Sequence, residues 1–494
     1  MKLNATKIPI RVGSKYIAVL NEKRAHFLDL HAGDRIILKK KGQKPLRALL
    51  DITENSELKE TEVGLYEDTW SKLKTKYGDD IEIAVAEKPI STTYIKKKLN
   101  GERLTTTELN EIIKDVVAED LSDLEVAYFV SACYIHGLSD RETADLTRSI
   151  VNNGNKLKFK NKVVADKHCI GGVPGNRTTM IIIPIIAAAG ILMPKTSSRA
   201  ITSPSGTADT MEVLANILNQ APKLTKIANK VGGFITWGGG VDLASADDKM
   251  IRARHPLSLD PQGMLLASIM AKKFSVGSTH VLIDIPIGPQ VKIKTKKEGR
   301  ILKRRFETLG KNLGMKVKVI FTNGDQPVGR GIGPSLEAMD VMKVLKNEED
   351  APSSLREKSI KMAGILLELT GKAKFGRGSS MARKILKSGK AYDKMMEIIK
   401  AQGAKRTKLR PGNFSKIIRA GKDGKIIEVN NKLIAHIART AGAPKDQEAG
   451  VYIHKRLGEK VKKGEPLYTI YADIEERIEY TKQYPLNKAF IIKK

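Results

Sequence analysis

Apolar and polar residues alternate along the first part of the chain, for example in residues 8–12 and 35–38. Because successive side chains of a strand point to opposite faces of a sheet, this period of two indicates β-strands. The Gly33-Asp34 pair between such stretches has the composition of a turn. The pattern therefore predicts a small, β-rich N-terminal domain over residues 1–86.

The pattern becomes helical after residue 104. Apolar residues recur at spacings of three and four in three segments, which predicts three helices: residues 107–118, 121–136 and 140–152. Thr105 and Ser139 stand just before two of these segments, and hydroxyl side chains there are suited to cap a helix. A helical domain is therefore expected after a linker that opens at Lys88-Pro89.

Strand-like and helix-like stretches alternate from residue 162 to about residue 350, with glycine-rich turns between them. Residues 234–237 precede three glycines, and residues 281–285 precede Pro286. This order is typical of βαβ units, whose strands form a mostly parallel sheet. Residues 351–403 are helical and basic, and β patterning returns after about residue 408. We predict the fold class α/β.

Composition places limits on location and class. The chain has 494 residues, of which 41% are hydrophobic, but no apolar run reaches the ~20 residues of a membrane span. The N-terminus has no apolar stretch like that of a signal peptide. The chain has 2 cysteines, too few for a disulfide framework. We expect a cytoplasmic protein without a membrane partner.

The formal net charge of +32 favours a partner that carries phosphate. Nucleic acid is one such partner, because phosphate neutralisation dominates its binding. However, aromatic residues make up only 5% of the chain, so platforms for stacking single-stranded bases are sparse. A solvated, lysine-rich surface fits the scattered lysines better, and the same field would attract phosphorylated small molecules. A nucleic-acid-binding protein remains the less favoured alternative.

Residues 166–179 read Asp-Lys-His-Cys-Ile-Gly-Gly-Val-Pro-Gly-Asn-Arg-Thr-Thr. We predict a strand at 162–165 before this segment and a helix at 180–189 after it. A strand-to-helix turn with glycines and cations favours an anion, because free N–H groups and the helix dipole point towards it. The spacing matches neither the Walker nor the dinucleotide motif. The alternatives are a phosphate site of another kind or a tight turn with a solvated lysine.

A second segment, residues 195–209, contains seven hydroxyl side chains and Arg199 before a helix-like run at 210–218. Hydroxyl donors and a planar guanidinium suit a phosphate ester and sugar oxygens. The alternative is a Ser/Thr-rich surface loop with a capping threonine.

A third region contains Asp260, Ser268, Lys272 and Lys292. Asp260 stands before a proline and a helix, so capping alone also explains it. Ser268 and Lys272 are four residues apart and share one helix face. Lys292 follows a strand end, where α/β sheets bind ligands, although a solvated lysine is an equal alternative. No metal spacing or nucleophile elbow is found, so we expect no metal and no cofactor.

These segments together resemble the thymidine/pyrimidine nucleoside phosphorylase family. The resemblance rests on Asp166-Lys167-His168-x-x-Gly171-Gly172-Val173, on Ser197-x-Arg199…Gly206-Thr207 and on Ser268-x-x-x-Lys272-Lys273. It covers nearly all of the chain from Tyr94 onward. It implies a helical domain at 87–154 with a return segment at 246–275, a mostly parallel α/β domain at 155–405 and a C-terminal α+β domain at 406–494. The active site is expected between the helical and α/β domains.

Departures from the family pattern resemble its archaeal AMP phosphorylase branch. The usual Ser-Thr pair is Cys169-Ile170, a usual lysine is Pro286, and Lys292 is an additional cation. This resemblance implies that AMP and inorganic phosphate are the partners and that they react to adenine and ribose 1,5-bisphosphate. A homodimer or larger homo-oligomer through the helical domain is also implied. A pyrimidine nucleoside phosphorylase is the alternative.

The resemblance also implies a role for individual residues. Four are expected to bind the attacking phosphate: Lys167, Thr179, Ser197 and Thr207. Ten are expected to bind AMP: Gly172, Ser198, Arg199, Ala200, Ile201, Thr202, Ser203, Thr207, Ser268 and Lys292. Asp260 is the expected general acid that protonates adenine, which requires burial or a nearby anion to raise its pKa. His168 is the next candidate for the acid.

Overall fold

The structure is a computed structural model that describes residues 1–13, 15–54, 57–200, 203–241, 243–254, 256–257, 259–405 and 409–493. The chain forms two compact units. The first unit contains Met1–Gly137 and Lys249–Pro261, and the second contains Leu138–Asp248 and Gln262–Lys494. None of the described helices is both long enough and apolar enough to cross a membrane.

The first unit begins with a closed barrel. Its strands and two short helices are β1 (Lys2–Ile8), β2 (Ile17–Asn21), α1 (Glu22–Phe27), β3 (Arg35–Lys39), β4 (Leu46–Thr53), β5 (Glu62–Tyr66), α2 (Glu67–Lys72) and β6 (Asp80–Val85). The order around the barrel is β1-β5-β2-β4-β3-β6. Alternate residues such as Leu3 and Ala5, or Ile36 and Leu38, are buried in its core, as the period of two predicts. The predicted β-rich character of this region is confirmed.

Helices α3 (Ser91–Leu99), α4 (Thr106–Ala118) and α5 (Asp123–His136) follow in the first unit, and α6 (Asp140–Asn152) begins the second. Thr105, Ser122 and Ser139 each cap a helix reciprocally with a glutamate three residues later. The three predicted helices and the two predicted caps are confirmed. Helix α3 lies where a linker was expected. Pro89 does not interrupt the helix, because it stands before the first turn, where proline is tolerated.

The second unit contains the α/β elements. These are β7 (Ala165–Cys169), α7 (Thr178–Ala188), β8 (Met193–Ser197), α8 (Thr207–Leu214), α9 (Ala221–Val231), β9 (Gly233–Trp237), α10 (Ser245–Arg254, which runs into the first unit), α11 (Gln262–Ser275), β10 (His280–Ile287), α12 (Lys296–Asn312), β11 (Lys316–Asn323), β12 (Gly331–Ile332), α13 (Pro334–Leu345), α14 (Ser353–Leu369), α15 (Gly378–Lys387) and α16 (Lys390–Gln402). Strands β11-β10-β7 and β8-β9 pair in parallel. A parallel bridge from Val164 to Leu192 links the two sets. The predicted parallel α/β fold is confirmed.

The last elements form the C-terminal α+β part. They are β13 (Phe414–Arg419), β14 (Gly424–Val429), α17 (Asn431–Thr440), β15 (Gly450–Ile453), β16 (Lys460–Val461), β17 (Pro466–Ala472), α18 (Glu475–Tyr480) and β18 (Phe490–Lys493). Two antiparallel sheets, β12-β15-β17-β13 and β16-β14-β18, pack around a core that includes Ile434 and Tyr468. The α+β character predicted for this region is confirmed.

Strand β7 lies further along the chain than predicted. It was expected at residues 162–165, but it begins at Ala165 and contains Asp166, Lys167, His168 and Cys169. The pattern failed because Asp166 and Lys167 are polar yet buried in the sheet. The glycine-rich turn therefore begins after these residues, and helix α7 begins two residues earlier than expected, at Thr178.

Candidate active site

A cavity of about 350 Å³ lies in the second unit, where the loops after β7 and β8 face helix α11. Open α/β sheets commonly bind ligands at the carboxyl ends of parallel strands. Ten of the predicted site residues line this cavity: Lys167, Gly172, Thr179, Ser197, Ser198, Arg199, Ser203, Thr207, Ser268 and Lys292. Ile201 and Thr202 lie outside the described residues. The two loops and the α11 face singled out from the sequence therefore meet at one site.

Lys167 is the buried cation of this cavity. Its side chain is only 1% exposed, and its Nζ donates to Thr178 Oγ1 at 3.0 Å. Burial lowers the pKa of Lys167, although the nearby Asp284 partly opposes that shift. Among the described residues, Lys167 has no ion-pair partner of its own, because Asp284 pairs with Lys358 at 3.2 Å. An anion in the cavity would supply the missing counter-charge.

Asp166, Lys195 and Lys273 form a buried cluster beside Lys167. Lys273 Nζ lies 2.8 Å from Asp166 Oδ2, and Lys195 Nζ lies 3.7 Å from Asp166 Oδ1. Burial and the neighbouring Lys273 lower the pKa of Lys195 well below its usual range. Sequence reasoning missed this cluster as a site feature, since its members come from β7, β8 and α11. The available signal was that Asp166, Lys195 and Lys273 each stand within or beside one of the three segments singled out from the sequence.

His168 and Cys169 stay uncharged at the end of β7. Burial, with Lys273, Lys195 and Lys167 nearby, holds the pKa of His168 well below 6.5. Burial also raises the pKa of the Cys169 thiol, which accepts a hydrogen bond from Asn176 Nδ2 at 3.3 Å. A neutral imidazole is a poor proton donor at neutral pH. His168 is therefore a weaker candidate acid than the sequence alone indicated.

Gly172 brings the loop that carries Lys292 close to the cavity. Its φ is +93°, a backbone conformation that residues other than glycine rarely adopt. A Cβ at this position would lie 3.0 Å from Val291 Cα and 3.1 Å from the Lys292 backbone nitrogen. Glycine thus permits the close backbone approach that places Lys292, which has no ion-pair partner among the described residues, at the cavity wall.

The loop after β8 is organised by Asp209, three residues into helix α8. Its Oδ2 accepts hydrogen bonds from the Ala200 N–H at 2.7 Å and the Gly206 N–H at 2.8 Å. Thr207 is the first residue of α8, so the helix begins three residues before the predicted run at 210–218. Ala200 belongs to this loop but does not line the cavity.

The Arg199 guanidinium is held by carboxylates in this structure. It donates to both carboxylate oxygens of Glu212, with Nη2 to Oε1 at 3.0 Å, and to Asp209 at 3.3 Å. It also lies over the Trp237 ring at 5.3 Å. Hydrogen bonding to Glu212 is the main cause that raises the pKa of Arg199. Its guanidinium borders the cavity with much of its donor capacity already used.

Arg177 and Glu337 connect the two anion-favouring loops. Arg177 donates to the buried Glu337 carboxylate and to the Ser205 carbonyl oxygen. Glu337 also accepts from Thr210 Oγ1 at 2.8 Å. These bonds fix the spacing between the turn after β7 and the start of α8. No local pattern in the sequence marks this pair, because its members are 160 residues apart.

Ser268 and Lys272 lie on one face of α11, as predicted. Ser268 Oγ donates to Asp247 Oδ2 at 2.7 Å, and Lys272 Nζ lies 2.7 Å from the same oxygen. Asp247 is almost fully buried. Helix α11 thus presents to the cavity a hydroxyl and a cation whose positions are set by one carboxylate.

Asp260 belongs to the first unit, so its surroundings are described there. Its side chain is 51% exposed, and its Oδ1 lies 3.2 Å from Arg254 Nη1. Asp260 is therefore half-exposed within the first unit, and its role as the acid stays a prediction. The carboxylate lies against Arg254, the last residue of α10. Among the described residues, no group of three or more His, Cys, Asp or Glu side chains could hold a metal.

Comparison with known proteins identifies the family. The glycosyl transferase family, helical bundle domain, matches residues 92–154, and the a/b domain of the same family matches 161–392. The pyrimidine nucleoside phosphorylase C-terminal domain matches 425–489. The anthranilate phosphoribosyltransferase structure from Thermus thermophilus shares the fold, with a TM-score of 0.54 and 19% identity over 62% of this chain and 98% of that one.

Curated relatives match over nearly the full chain. An AMP phosphorylase of Methanococcoides burtonii is 44% identical over 97% of this chain and 94% of its own length. AMP phosphorylase 1 of Archaeoglobus fulgidus is also 44% identical, over 97% and 95%. A putative thymidine phosphorylase of Legionella pneumophila is 43% identical over 89% and 85%. The chain belongs to the AMP phosphorylase branch of the thymidine/pyrimidine nucleoside phosphorylase family.

Proposed function

We propose that this protein catalyses the phosphorolysis of AMP. Inorganic phosphate attacks C1′ of the ribose, the glycosidic bond breaks, and adenine and ribose 1,5-bisphosphate leave. The observation that carries this proposal is one cavity lined by two anion-favouring loops, the Ser268 face of α11 and Lys292. The names of the relatives that match nearly the whole chain agree with this reaction.

The charges that line the cavity suit two separate anions. Lys195 and Lys273 share Asp166, and Lys272 pairs with Asp247. Lys167 and Lys292 are the lining lysines that lack an ion pair among the described residues. We assign inorganic phosphate to Lys167 and the 5′-phosphate of AMP to Lys292, since a nucleoside would leave Lys292 without a counter-charge.

The attacking phosphate is assigned to Lys167, Thr179, Ser197 and Thr207. Thr179 lies in the first turn of α7 and Thr207 begins α8, so both hydroxyls stand at helix N-termini, where backbone N–H groups favour anions. Preorganised donors hold the phosphate for attack without reorganisation during the reaction. They form no covalent bond to the phosphate, so no further bond must be broken for release. Attack from the face opposite the base makes the product the α-1-phosphate.

AMP is assigned to a second set of residues in the same cavity, which shares Thr207 with the phosphate site. Gly172, residues 198–203, Thr207, Ser268 and Lys292 are the proposed contacts, and they include loop N–H groups and hydroxyls suited to ribose oxygens. Arg199 is assigned to the same set, and its release from Glu212 would free paired donors for the 5′-phosphate. This arrangement predicts discrimination between AMP and adenosine at the phosphate end rather than at the base.

Asp260 is the proposed proton donor to adenine. Bond cleavage builds negative charge on the base, so protonation of the base lowers the barrier. Phosphate attacks the opposite face of the ribose, and the reaction inverts at C1′ without a covalent enzyme intermediate. The exposed Asp260 carboxyl becomes a competent acid only when bound substrate shields it from water or places an anion beside it.

The experiment that tests the function is a substrate panel. The purified protein is incubated with phosphate and, separately, AMP, adenosine, CMP, UMP and thymidine, and released bases and sugar phosphates are identified by chromatography and ³¹P NMR. Adenine and a sugar bisphosphate from AMP, with at most slow reaction of adenosine, are expected. Faster cleavage of thymidine than of AMP would establish the pyrimidine nucleoside alternative instead.

We further propose a homodimer or larger homo-oligomer formed through the helical domain. Helix α5 exposes Leu124, Tyr128 and Ile135, whose spacing of four and seven places them on one face. An exposed apolar stripe of this kind commonly marks a protein–protein interface. Multi-angle light scattering should give an oligomer for the wild type and a smaller species for the Leu124→Glu/Ile135→Glu double variant.

We also propose that the enzyme works in the cytoplasm. Support comes from Cys169, which borders the cavity as a free, half-buried thiol and accepts a hydrogen bond from Asn176. A reducing compartment preserves such a thiol. Cell fractionation with detection of the protein tests this location.

A further inference from the structure

The first unit contains a pocket of about 580 Å³ that the proposed reaction does not use. Its walls come from the barrel, from the turn between α4 and α5, and from the last part of α10. Every lining residue belongs to the first unit, and none of them lines the cavity of about 350 Å³ described above. The pocket is therefore a separate concave site with its own chemistry.

Arginine and lysine side chains surround this pocket, and most are neutralised within the protein. Lys15 pairs with Asp123 at 2.6 Å, Arg47 with Asp120 at 3.3 Å and Lys249 with Glu119 at 2.9 Å. Arg35 pairs with Glu125. Arg252 lines the same pocket, yet the described residues offer it no carboxylate partner. One guanidinium is thus available for an anionic group of a ligand.

Glu119, which also lines the pocket, has a carboxylate oxygen to which no described residue donates a hydrogen bond. Its Oε1 accepts from Lys249, but its Oε2 is buried and has no hydrogen-bond donor among the described residues. A buried acceptor without a donor is costly, and such groups commonly meet a ligand or an ordered water. Because Glu119 lines the pocket, a rotation of its carboxylate would present this unpaired acceptor to an N–H donor, and Arg252 is a cation for an anion.

The remaining walls are apolar and include a flat ring. Tyr16, Leu49, Val116 and Ala127 line the pocket, and they provide a surface for an aromatic or heterocyclic body. Pockets of ~300–1,000 Å³ are typical for small ligands and combine apolar walls with a few polar groups. At about 580 Å³ the pocket is larger than the proposed catalytic cavity.

We propose that this pocket is a second ligand site, which binds a nucleotide of mononucleotide size. Arg252 holds the phosphate, the Glu119 carboxylate rotates to accept from an amino group of the base, and Tyr16 with its apolar neighbours contacts the ring. A nucleotide is the ligand class that joins an anion, an N–H donor and a flat body in one molecule. The site binds without chemistry, so its occupancy is independent of whether the protein catalyses phosphorolysis.

Hydrogen exchange with AMP as the probe tests the proposal, in buffer without inorganic phosphate so that no turnover occurs. AMP should slow exchange in two places: the pocket segments 116–127 and 249–254, and the cavity segments 167–179 and 197–200. Protection of the pocket segments should be stronger with AMP than with ribose 5-phosphate or adenine at equal concentration. Equal protection by inorganic phosphate alone would overturn the assignment to a nucleotide.

Variants then locate the site. Arg252→Ala should weaken AMP-dependent protection of the pocket segments at least tenfold while leaving the cavity segments protected. Ala127→Trp, which fills the pocket, should remove the same protection, and Arg103→Ala is the matched loss of an exposed arginine that should change neither. Absence of pocket protection in the wild type, or its retention in both pocket variants, refutes the proposal. Loss of the proposed function would appear separately, in the product analysis.

Discussion

The floor of the proposed catalytic cavity, formed around Lys167 and Asp166, and the segment that carries Asp260 are built in opposite ways. On the floor, Lys167 is 1% exposed and its Nζ is already aimed by Thr178, while Asp166 holds two neighbouring lysines. Asp260 is 51% exposed and lies against Arg254. The donors for an anion are therefore preorganised by the fold, whereas the proposed acid depends on the substrate for its environment.

The largest effect is expected from a substitution of Asp260. Asp260→Asn removes the transferable proton and keeps the shape, so kcat for AMP should fall by ~10²–10⁴, the usual contribution of a general acid. The KM for AMP should change little. Steady-state kinetics with AMP and phosphate measure both values.

Asp140→Asn is the matched control for that variant. Asp140 has a similarly exposed side chain, at 53%, and its own arginine partner, Arg305, at the same distance of 3.2 Å. It should retain kcat. If Asp260→Asn also keeps a nearly wild-type kcat, Asp260 is only a structural residue at the start of a helix, and the acid must be sought elsewhere.

Lys167 offers the next largest effect, on the preorganised side of the comparison. Lys167→Met keeps most of the buried volume but removes the charge, so the KM for phosphate should rise and kcat should fall by ~10²–10³, as for loss of one electrostatic donor. Initial rates over a phosphate series measure both effects. Lys167→Ala should behave alike in rate but unfold at a lower temperature, because it also leaves a void.

Phosphate kinetics that stay unchanged in the folded Lys167→Met protein would remove this residue from the phosphate site. Thermal unfolding distinguishes that result from a folding defect. Lys41→Ala is the control for loss of one exposed lysine, and it should alter neither the phosphate KM nor the unfolding temperature.

The parts of the site that follow from local chemistry could be predicted from the sequence. Glycines, hydroxyls and cations stand together at 166–179 and 195–209, and each group needs only its own turn to face an anion. Ser268 and Lys272 share a helix face through spacing alone. The helices with hydroxyl caps were predictable for the same reason, because a capping box is complete within four residues.

The parts that depend on distant residues could not be predicted. The Arg177–Glu337 pair and the Asp166–Lys273 pair join elements more than 100 residues apart in sequence, so no periodicity marks them. The position of β7 was mispredicted for the same reason. Asp166 is tolerated inside the sheet because Lys273 and Lys195 lie beside it. The ion pair of Asp260 with Arg254 was not predicted either, because no periodic pattern marks a contact across six residues in this turn.

A smaller effect should separate the phosphate end of AMP from its base. Lys292→Ala should lower kcat/KM for AMP by ~10–100-fold, the range for losing a hydrogen bond to a charged group. Any slow reaction of adenosine should be unaffected. Lys294→Ala, an exposed lysine two residues away, is the control.

Arg199→Ala should lower kcat/KM for AMP less than Lys292→Ala, because Glu212 already holds the Arg199 guanidinium. Parallel assays with AMP and adenosine give both ratios. Equal losses for the two substrates in the Lys292 variant would show that this lysine does not read the 5′-phosphate. A larger loss in the Arg199 variant would show that Arg199 leaves Glu212 when AMP binds.

The smallest effect concerns His168 on the cavity floor. Burial, with Lys273, Lys195 and Lys167 nearby, keeps its pKa well below 6.5 in the folded protein. An unfolded chain, whose histidine has a pKa of ~6.5, therefore binds the proton more readily. Stability from this group is fully present above about pH 6.5 and is lost as the pH falls, by at most ~1.4 kcal/mol for each pH unit.

Calorimetric unfolding at pH 7.5, 6.5 and 5.5 measures that loss. The wild type should lose more stability between pH 6.5 and 5.5 than His168→Gln, which has no proton to gain, by about 1 kcal/mol or roughly 1 °C in the midpoint. His31→Gln, at an exposed site, should follow the wild type. His280 and His454 also have lowered pKa values, so only the difference between variants isolates His168. Identical slopes would mean that His168 binds its proton equally well in the folded and unfolded protein, which would restore it as a candidate proton donor and weaken the contrast between floor and acid.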